Sequence, residues 1–259
     1  MTKFQKVLIA ISSVVNYLGL TKLSFVRRSF WRTYLVYKKY YEGKEFIEIL
    51  NTLSRFDDTK KDSCVLDIGA HIGSSAHFIF NALAPSKIFS FEPDKRNIEY
   101  FNEFIQGRIK NNLITLVPLA VWKVTGTIPF YFNEKNTADN KFEASESSLV
   151  ECVAVDDFVT QFSLKVSLIK IDVQGYEIEV LQGSLITLST QQPLVIIEID
   201  KNSLDARGLT ISDILDFIDS IKYRPLNSRS GATLDLAQLH DDFLNRSCLD
   251  ILLAPFPKN

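Results

Sequence analysis

The residues most able to do chemistry in this sequence lie in the run 64–73, where an apolar stretch leads to a carboxylate and then to two glycines. Asp67 supplies the carboxylate, and Gly69 and Gly73 stand four positions apart. A helical pattern begins at Ser74, so the run predicts a strand, a tight turn and a helix N-terminus. Glycine lets a backbone approach a ligand closely, and the N–H groups at a helix start attract a carboxylate or phosphate. Turns of this kind bind nucleotide-like ligands in open α/β sheets.

A second acid, Glu92, follows the apolar run Lys87–Phe91, which predicts a second strand ending in a carboxylate. Such a carboxylate can accept hydrogen bonds from a ribose diol. This pattern fits either a dinucleotide or S-adenosylmethionine (SAM). The carboxylate of Asp67 would repel a pyrophosphate, whereas the ammonium and sulfonium of SAM tolerate it. His71 also stands where a dinucleotide motif has its middle glycine. The residues therefore favour SAM and keep NAD(P) as the alternative.

Length and composition indicate one large domain, or one domain with an appendage. The chain has 259 residues, of which 46% are hydrophobic, as in an ordinary globular protein. Its three cysteines, Cys64, Cys152 and Cys248, lie far apart in apolar runs. This predicts buried free thiols and a cytoplasmic protein. No spacing is typical of metal ligands, so no metal is predicted.

The N-terminal segment differs from the rest of the chain in its charge. Residues 1–41 hold eight Lys and Arg and no acid; since the whole chain carries −2, the remainder carries −10. The unbroken apolar run 7–11 is too short to span a bilayer, and no signal-peptide cleavage site follows. Two interpretations stay open: a helix packed on the main domain, or a surface for peripheral membrane or anionic-substrate contact. No nucleic-acid partner is predicted, and the oligomeric state is not indicated.

Strand and helix patterns alternate along the rest of the chain, which predicts an α/β fold with a parallel sheet and right-handed crossovers. The polar stretch 133–148 is predicted to be a loop, either over the site or on the surface. The predicted elements are helix 27–53, strand 64–68, helix 74–83, strand 87–91, helix 95–106, strand 113–118, a hairpin around Gly126, strand 150–155, strand 166–172, a helix from Glu177 to about Leu188, strand 193–200, helix 210–221 and strands 223–227 and 248–254.

A second group of charged residues surrounds the end of the strand at 166–172. Lys170 lies in this strand, Asp172 ends it, and Glu177 falls in the first turn of the following helix. Glu198 interrupts a later apolar strand, and a buried acid is costly unless it has a partner. We therefore expect Glu198 to face the site or to pair with a cation such as Lys170. Three such scattered acids are weak support for a metal site.

Three motifs, in this order, resemble those of the FkbM family of SAM-dependent methyltransferases, over about residues 64–255. Two positions depart from the family pattern. His71 replaces an asparagine, and both residues tolerate a positive φ. Gln174 replaces a glutamate, which keeps hydrogen-bonding capacity but removes a charge. In the family these motifs read Asp-x-Gly-Ala-Asn-x-Gly, Phe-Glu-Pro, and Lys-x-Asp-x-Glu-Gly-x-Glu with a closing Leu-x-Gly. In this sequence the corresponding residues are 67–73, 91–93, 170–177 and 181–183.

The resemblance implies a Rossmann-like class I methyltransferase fold, with a seven-stranded, mostly parallel sheet in the order 3-2-1-4-5-7-6 and an antiparallel last strand. The methyltransferase domain would span residues 57–259, behind a basic, helical extension at 1–56. The implied reaction is O-methylation of a hydroxyl on a sugar, glycan or small metabolite. A catalytically altered methyltransferase fold acting as a binding protein is a further hypothesis, alongside an NAD(P)-dependent oxidoreductase.

Roles follow for individual residues. We expect Asp172 to act as general base or acceptor orienter, with Glu177 as the alternative, and Lys170 to fix either carboxylate. The simpler interpretation of Asp172 is an acid that interacts with a helix dipole. The predicted cofactor-binding residues are Asp67, Gly69, Ala70, His71 and Gly73 at the methionine end of SAM, Glu92 at the ribose and Asp156 on the adenine side.

Overall fold

The computed structural model describes residues 44–55, 63–106, 113–132, 148–235, 239–240, 243, 245–246 and 248–257. The basic segment 1–41 and nearly all of the predicted loop at 133–148 lie outside these residues. Predictions about them therefore remain predictions. Of the helix predicted at 27–53, the described part is a helix from Lys44 to Leu53.

Helices and strands alternate over residues 44–117 as the sequence predicts, and further on the order includes consecutive strands and consecutive helices. In chain order they are α1 (Lys44–Leu53), β1 (Cys64–Ile68), α2 (Ser74–Leu83), β2 (Lys87–Phe91), α3 (Lys95–Gln106), β3 (Ile114–Val117), β4 (Ala120–Val121), β5 (Gly126–Phe130), β6 (Ser148–Val153), α4 (Val155–Gln161), β7 (Val166–Ile171), α5 (Glu177–Gln182), α6 (Leu185–Thr190), β8 (Leu194–Asp200), α7 (Lys201–Ala206), α8 (Ile211–Ser220), β9 (Tyr223–Leu226) and β10 (Cys248–Pro255).

The larger sheet has seven strands in the order β3-β2-β1-β7-β8-β10-β9. Numbering these strands along the chain gives 3-2-1-4-5-7-6. β10 runs antiparallel to both of its neighbours, and the other pairs are parallel. The predicted order and the antiparallel last strand are therefore confirmed. From β1 the chain first builds the sheet toward β3 and later continues on the other side with β7, so the strand order reverses between β1 and β7. Ligands bind at such a reversal, beyond the carboxyl ends of the strands.

The central strands form because their residues are apolar on both faces of the sheet. All five residues of β1 are buried, and so are five of the six residues of β7. Leu66, Ile169 and Ile197, one from each of three neighbouring strands, have no exposed surface. Burying one such side chain contributes about 1.5–3 kcal/mol to folding. This packing makes the middle of the sheet a rigid support for the loops at its carboxyl edge.

A second, three-stranded sheet corrects one prediction. The hairpin predicted around Gly126 is wrong, because β6 lies between β4 and β5. Ala120 and Gly126 both pair with Cys152, from opposite sides. Thr125, in the connection between β4 and β5, accepts a hydrogen bond from the Ala154 N–H and donates one to the Asp157 carboxylate. These bonds tie the connection to the segment after β6 and keep β6 in the middle.

The helix predicted from Glu177 to about Leu188 is two helices, α5 and α6, with Gly183 between them. A Cβ at Gly183 would lie 2.3 Å from the carbonyl oxygen of Trp122, so the backbones touch at this glycine. The carboxylate of Asp156 accepts hydrogen bonds from the backbone N–H groups of Ile186 and Thr187 and so caps the start of α6. The helix therefore breaks at Gly183 for two reasons: the backbone of Trp122 packs against this glycine, and the carboxylate of Asp156 caps the next helix.

Across the part of the chain that the structure describes, no helix is both long and apolar enough to traverse a bilayer.

Candidate cofactor and active site

The loop between β1 and α2, residues 69–73, takes a backbone conformation that ordinary residues disfavour. The φ angles are +73° at Gly69, +50° at His71 and +90° at Gly73. His71 thus occupies the left-handed region, which histidine tolerates better than most residues. A Cβ added at Gly69 would lie 1.8 Å from the backbone oxygen of Asp172. The cofactor loop predicted after β1 and the charged loop predicted after β7 are therefore in backbone contact.

Helix α2 begins directly after a glycine. Gly73 is the N-cap residue, and no side chain caps the helix there. A Cβ at Gly73 would approach the ring of Phe101 to 2.8 Å, so a side chain at this position would disturb the packing against α3. An uncapped helix N-terminus carries partial positive charge and presents N–H donors. It can accept a carboxylate, as the sequence predicts.

Glu92 links the loop after β2 to the cofactor loop. One carboxylate oxygen, Oε2, accepts the backbone N–H of His71 at 2.9 Å. The other, Oε1, accepts the backbone N–H of Asp94 at 2.8 Å and the side-chain amide of Asn97 at 3.3 Å. Glu92 is 5% exposed. Burial raises its pKa to about 7, although these hydrogen bonds oppose the rise. The structure thus brings together Glu92 and the loop residues predicted to bind the cofactor.

Asp67 is fully buried beneath the cofactor loop, with 0% of the residue exposed. Its Oδ2 accepts hydrogen bonds from the hydroxyls of Ser75 at 3.0 Å and Ser90 at 3.1 Å. Its Oδ1 receives no hydrogen bond from the described residues and lies 3.8 Å from the ammonium of Lys170. Burial raises the pKa of Asp67, and the charge of Lys170 opposes that rise. The carboxylate is therefore held in place by two hydroxyls on one oxygen and by a positive charge near the other.

The two serines are partners that sequence reasoning missed. Ser90 lies within the apolar strand β2, where a buried hydroxyl needs a partner. That is a signal of the kind that identified Glu198. Ser75 gives no such signal, because a serine in the first turn of a helix is ordinary.

Lys170 connects β7 to the loop after β1. Its ammonium donates to the carbonyl oxygen of Gly69 at 3.0 Å and contacts the carboxylate of Asp172 at 3.2 Å. Burial by itself lowers the pKa of Lys170, but the charges of Asp172, Asp67 and Glu198 together raise it above its ordinary value. Lys170 thus stays charged between two carboxylates, and Glu198 is close enough to act on it.

Asp172 is the most accessible of the candidate catalytic carboxylates. Its side chain is 26% exposed, at the carboxyl end of β7. Oδ2 contacts Lys170, and Oδ1 accepts a hydrogen bond from the side-chain amide of Gln174 at 3.0 Å. The carboxylate is oriented by a donor on each oxygen and still reaches solvent, which suits a group that must meet an incoming substrate.

Glu177 instead supports the loop that carries Asp172. It is 1% exposed, and its Oε1 accepts the backbone N–H groups of Val173 at 3.3 Å and Gly175 at 3.0 Å. Burial raises the pKa of Glu177 to about 7. These contacts make Glu177 a support of the loop, and Asp172, whose side chain is more exposed, stays the stronger candidate for contact with an acceptor.

Two other predictions concern Asp156 and the absence of a metal site. Both oxygens of Asp156 are used in capping α6, so these contacts lend no support to its predicted place beside the adenine. Burial is the main cause that raises the pKa of the Cys248 thiol, and the charges of Glu198, Asp250 and Asp172 raise it further. Among the described residues, no three of His, Cys, Asp and Glu are arranged to hold a metal ion.

Comparison with solved structures finds similar structures at low sequence identity. An FkbM methyltransferase from Methylobacillus flagellatus is 18% identical, with a TM-score of 0.50; the match covers 79% of this chain and 47% of that chain. This chain thus spans about half the length of that relative. A precorrin-6y C5,15-methyltransferase from Geobacter metallireducens is 12% identical, covering 80% and 87% of the two chains at a TM-score of 0.45. A putative rRNA methylase from Clostridium thermocellum is 11% identical, covering 81% and 97% at a TM-score of 0.47.

Sequence comparison supplies the family. Among curated proteins, a sequence search finds no match to this chain. The family model described as "Methyltransferase FkbM domain" matches residues 67–225, which is more than half of the 259 residues. The matched region contains all three motifs, from the loop after β1 to the glycine between α5 and α6. The chain belongs to the FkbM methyltransferase family.

Proposed function

We propose that this protein transfers a methyl group from SAM to a hydroxyl of a sugar, glycan or small metabolite. The observation that carries the proposal is the hydrogen bond between Glu92 and the backbone of His71, which joins the ribose-binding candidate to the cofactor loop. Membership of a methyltransferase family supports the reaction class. The acceptor class rests on the resemblance described above.

The residues at this edge of the sheet fit SAM in three respects. The uncapped N-terminus of α2 suits the carboxylate of the methionine moiety. The negative charge of Asp67, buried beneath the cofactor loop, suits the positive charges of the ammonium and sulfonium. Glu92 suits the ribose hydroxyls because it is a carboxylate fixed beside the loop. A buried carboxylate at Asp67 is unfavourable for a pyrophosphate, which argues against a dinucleotide.

In the proposed reaction, the bound cofactor supplies an activated methyl group on a sulfonium. Asp172 accepts a hydrogen bond from the acceptor hydroxyl, orients its oxygen and takes up its proton. Lys170, whose ammonium contacts Oδ2 of Asp172, helps to hold this carboxylate in place. Positioning of the reacting atoms can lower the barrier by up to about 7–11 kcal/mol, and a base in reach adds about 10²–10⁴-fold.

The proposal is tested by ligand binding followed by turnover. We expect SAM and S-adenosylhomocysteine to raise the melting temperature and NAD(P) to leave it unchanged. With a panel of sugars and hydroxylated metabolites, mass spectrometry should detect one added methyl group on an acceptor. Stabilisation by NAD(P) alone would favour the oxidoreductase hypothesis. SAM binding with no transfer to any acceptor of a broad panel would favour the binding-protein hypothesis.

The Glu92→Gln variant is expected to bind SAM about 10–100-fold more weakly, because hydrogen bonds to a charged acceptor contribute about 1.5–3 kcal/mol. Glutamine keeps the size of the side chain and an acceptor for the His71 N–H. Isothermal titration calorimetry measures the affinity. Glu99→Gln, which removes an exposed acid from α3, is the matched control and should bind like the wild type. Equal affinities in all three proteins would remove the ribose assignment.

SAM affinity is also expected to rise with pH. The pKa of Glu92 is raised to about 7, so its carboxylate is largely protonated below that pH and ionised above it. The ionised form is the better acceptor for two ribose hydroxyls. Calorimetry between about pH 6 and pH 8 should show tighter binding at the higher pH, with a flatter profile for Glu92→Gln. Affinity that falls over this range would contradict the expectation.

A further inference from the structure

Gln174 supplies a neutral hydrogen-bond donor to the carboxylate of Asp172. It lies two residues after Asp172, and its amide Nε2 donates to Oδ1 of that carboxylate at 3.0 Å. The other oxygen, Oδ2, contacts the ammonium of Lys170 at 3.2 Å. Asp172 is thus held by one charged donor and one neutral donor, on different oxygens.

The loop does not need the Gln174 side chain to keep its shape. Gln174 has φ +55° and Gly175 has φ +98°, both in the left-handed region. Glu177 accepts the backbone N–H groups on either side of Gln174, from Val173 and Gly175. The guanidinium of Arg207 donates to the carbonyl oxygen of Gly175. Because these contacts fix the unfavourable backbone conformation from outside, the amide of Gln174 is available to act on Asp172.

The charges around Asp172 are mostly negative. A further carboxylate beside it would therefore disfavour its ionised form, whereas a neutral N–H donor favours that form. The titratable groups that interact with Asp172 include Lys170 on β7, Asp67 on β1, Glu177 on α5 and Cys248 on β10. Glu198 on β8 acts on both Lys170 and Cys248, and Asp250 on β10 acts on Cys248.

We propose that Gln174 is a positioning residue that keeps the carboxylate of Asp172 ionised and oriented to receive the acceptor hydroxyl. This inference rests on the proposed function for its catalytic consequence, but not for its electrostatic one. The side-chain amide fixes Oδ1 and adds no charge. With SAM bound, Asp172 would take the proton of the hydroxyl as the oxygen–methyl bond forms and the sulfonium–methyl bond breaks to leave S-adenosylhomocysteine.

The test uses three variants of the full chain. Gln174→Glu keeps the shape and replaces the donor with a like charge. Gln174→Asn keeps an amide and tolerates the positive φ, but it is one methylene too short to reach. Gln182→Glu introduces the same charge on an exposed position of α5 and is the matched control. Thermal denaturation confirms that each variant folds.

The first readout is a carboxyl ¹³C NMR titration of aspartate-labelled protein without cofactor or acceptor. In Gln174→Glu, the Asp172 resonance should titrate at a pH higher by about one unit or more than in the wild type, and in Gln182→Glu at the same pH as in the wild type. Gln174→Asn should show a smaller rise, since it loses the donor without adding a charge. An unchanged titration in Gln174→Glu would overturn the proposal.

The second readout is the pH dependence of kcat/KM for methyl transfer. We expect its acidic limb to move to higher pH in Gln174→Glu, with the affinity for SAM unchanged. A shifted NMR titration with an unshifted limb would show that Asp172 is not the group that takes the proton, which overturns the catalytic part. If no acceptor is methylated even by the wild type, the proposed function fails while the NMR result still decides the electrostatic part.

Discussion

The Gly69→Ala variant is expected to lose more than about 4 kcal/mol of folding stability, which would leave it unfolded or nearly so. The new Cβ would lie 1.8 Å from the backbone oxygen of Asp172 and 2.9 Å from its carbonyl carbon. Both atoms belong to a backbone that continues directly from β7. Relief of the clash requires β1 and β7 to separate where Ile68 pairs with Ile171, at the centre of the sheet.

Gly208→Ala is the matched control for this prediction. Gly208 has a similar φ of +67°, but a Cβ there would meet nothing within 4 Å. That variant should lose only the cost of a left-handed alanine, about 1–2 kcal/mol. Urea denaturation followed by circular dichroism compares the two. Equal losses would mean that the close approach at Gly69 does not constrain the fold.

The Lys170→Met variant is expected to lose about 3–5 kcal/mol of folding stability, because removing one partner of a buried ion pair leaves an uncompensated charge. The charge left behind is mainly that of Asp67, which is fully buried. The loss should shrink at low pH, since burial already raises the pKa of Asp67 and protonation removes the uncompensated charge.

A control variant and a double variant test whether the loss in Lys170→Met comes from the buried ion pair. Lys165→Met removes an exposed lysine next to β7 and should change stability by less than about 0.5 kcal/mol. Asp67→Asn combined with Lys170→Met should recover part of the loss, because it removes the stranded charge. If Lys170→Met proves as stable as Lys165→Met, the buried ion pair does not contribute as we infer.

The main sheet was predictable from sequence because its strands are short apolar runs that end at polar residues. β1, β2, α2 and α3 have the predicted bounds. The order of the strands in the sheet, unlike their bounds, was not predictable from local patterns. No local pattern encodes which strands are neighbours, and the order came from the three motifs through their resemblance to a family.

The errors arose where distant segments decide the local structure. β6 enters between β4 and β5 from about 25 residues further along the chain, so residues near Gly126 alone suggested a hairpin. Gly183 interrupts a helical pattern because Trp122 packs against it. Asp156 looked like a ligand-binding acid, and its partners at the start of α6 are 30 residues away.

In the candidate site, too, some residues were predictable from the sequence and some of their partners were not. Acids at strand ends were recognisable one by one, and the structure brings Asp67, Lys170 and Asp172 into one contact network. Gln174 was recognised as a departure from the family pattern, but its partner was not. The hydroxyl of Ser90 in β2 gave a signal that was missed, and that of Ser75 gave none, because a serine is ordinary at a helix start.

A crystal structure with bound S-adenosylhomocysteine would show where the cofactor lies. We expect its ribose hydroxyls to contact the carboxylate of Glu92, its methionine carboxylate to lie at the N-terminus of α2 and its sulfur to face Asp172. A ligand bound elsewhere, or a saturating soak in which Glu92 keeps only its bonds to His71, Asp94 and Asn97, would contradict this expectation.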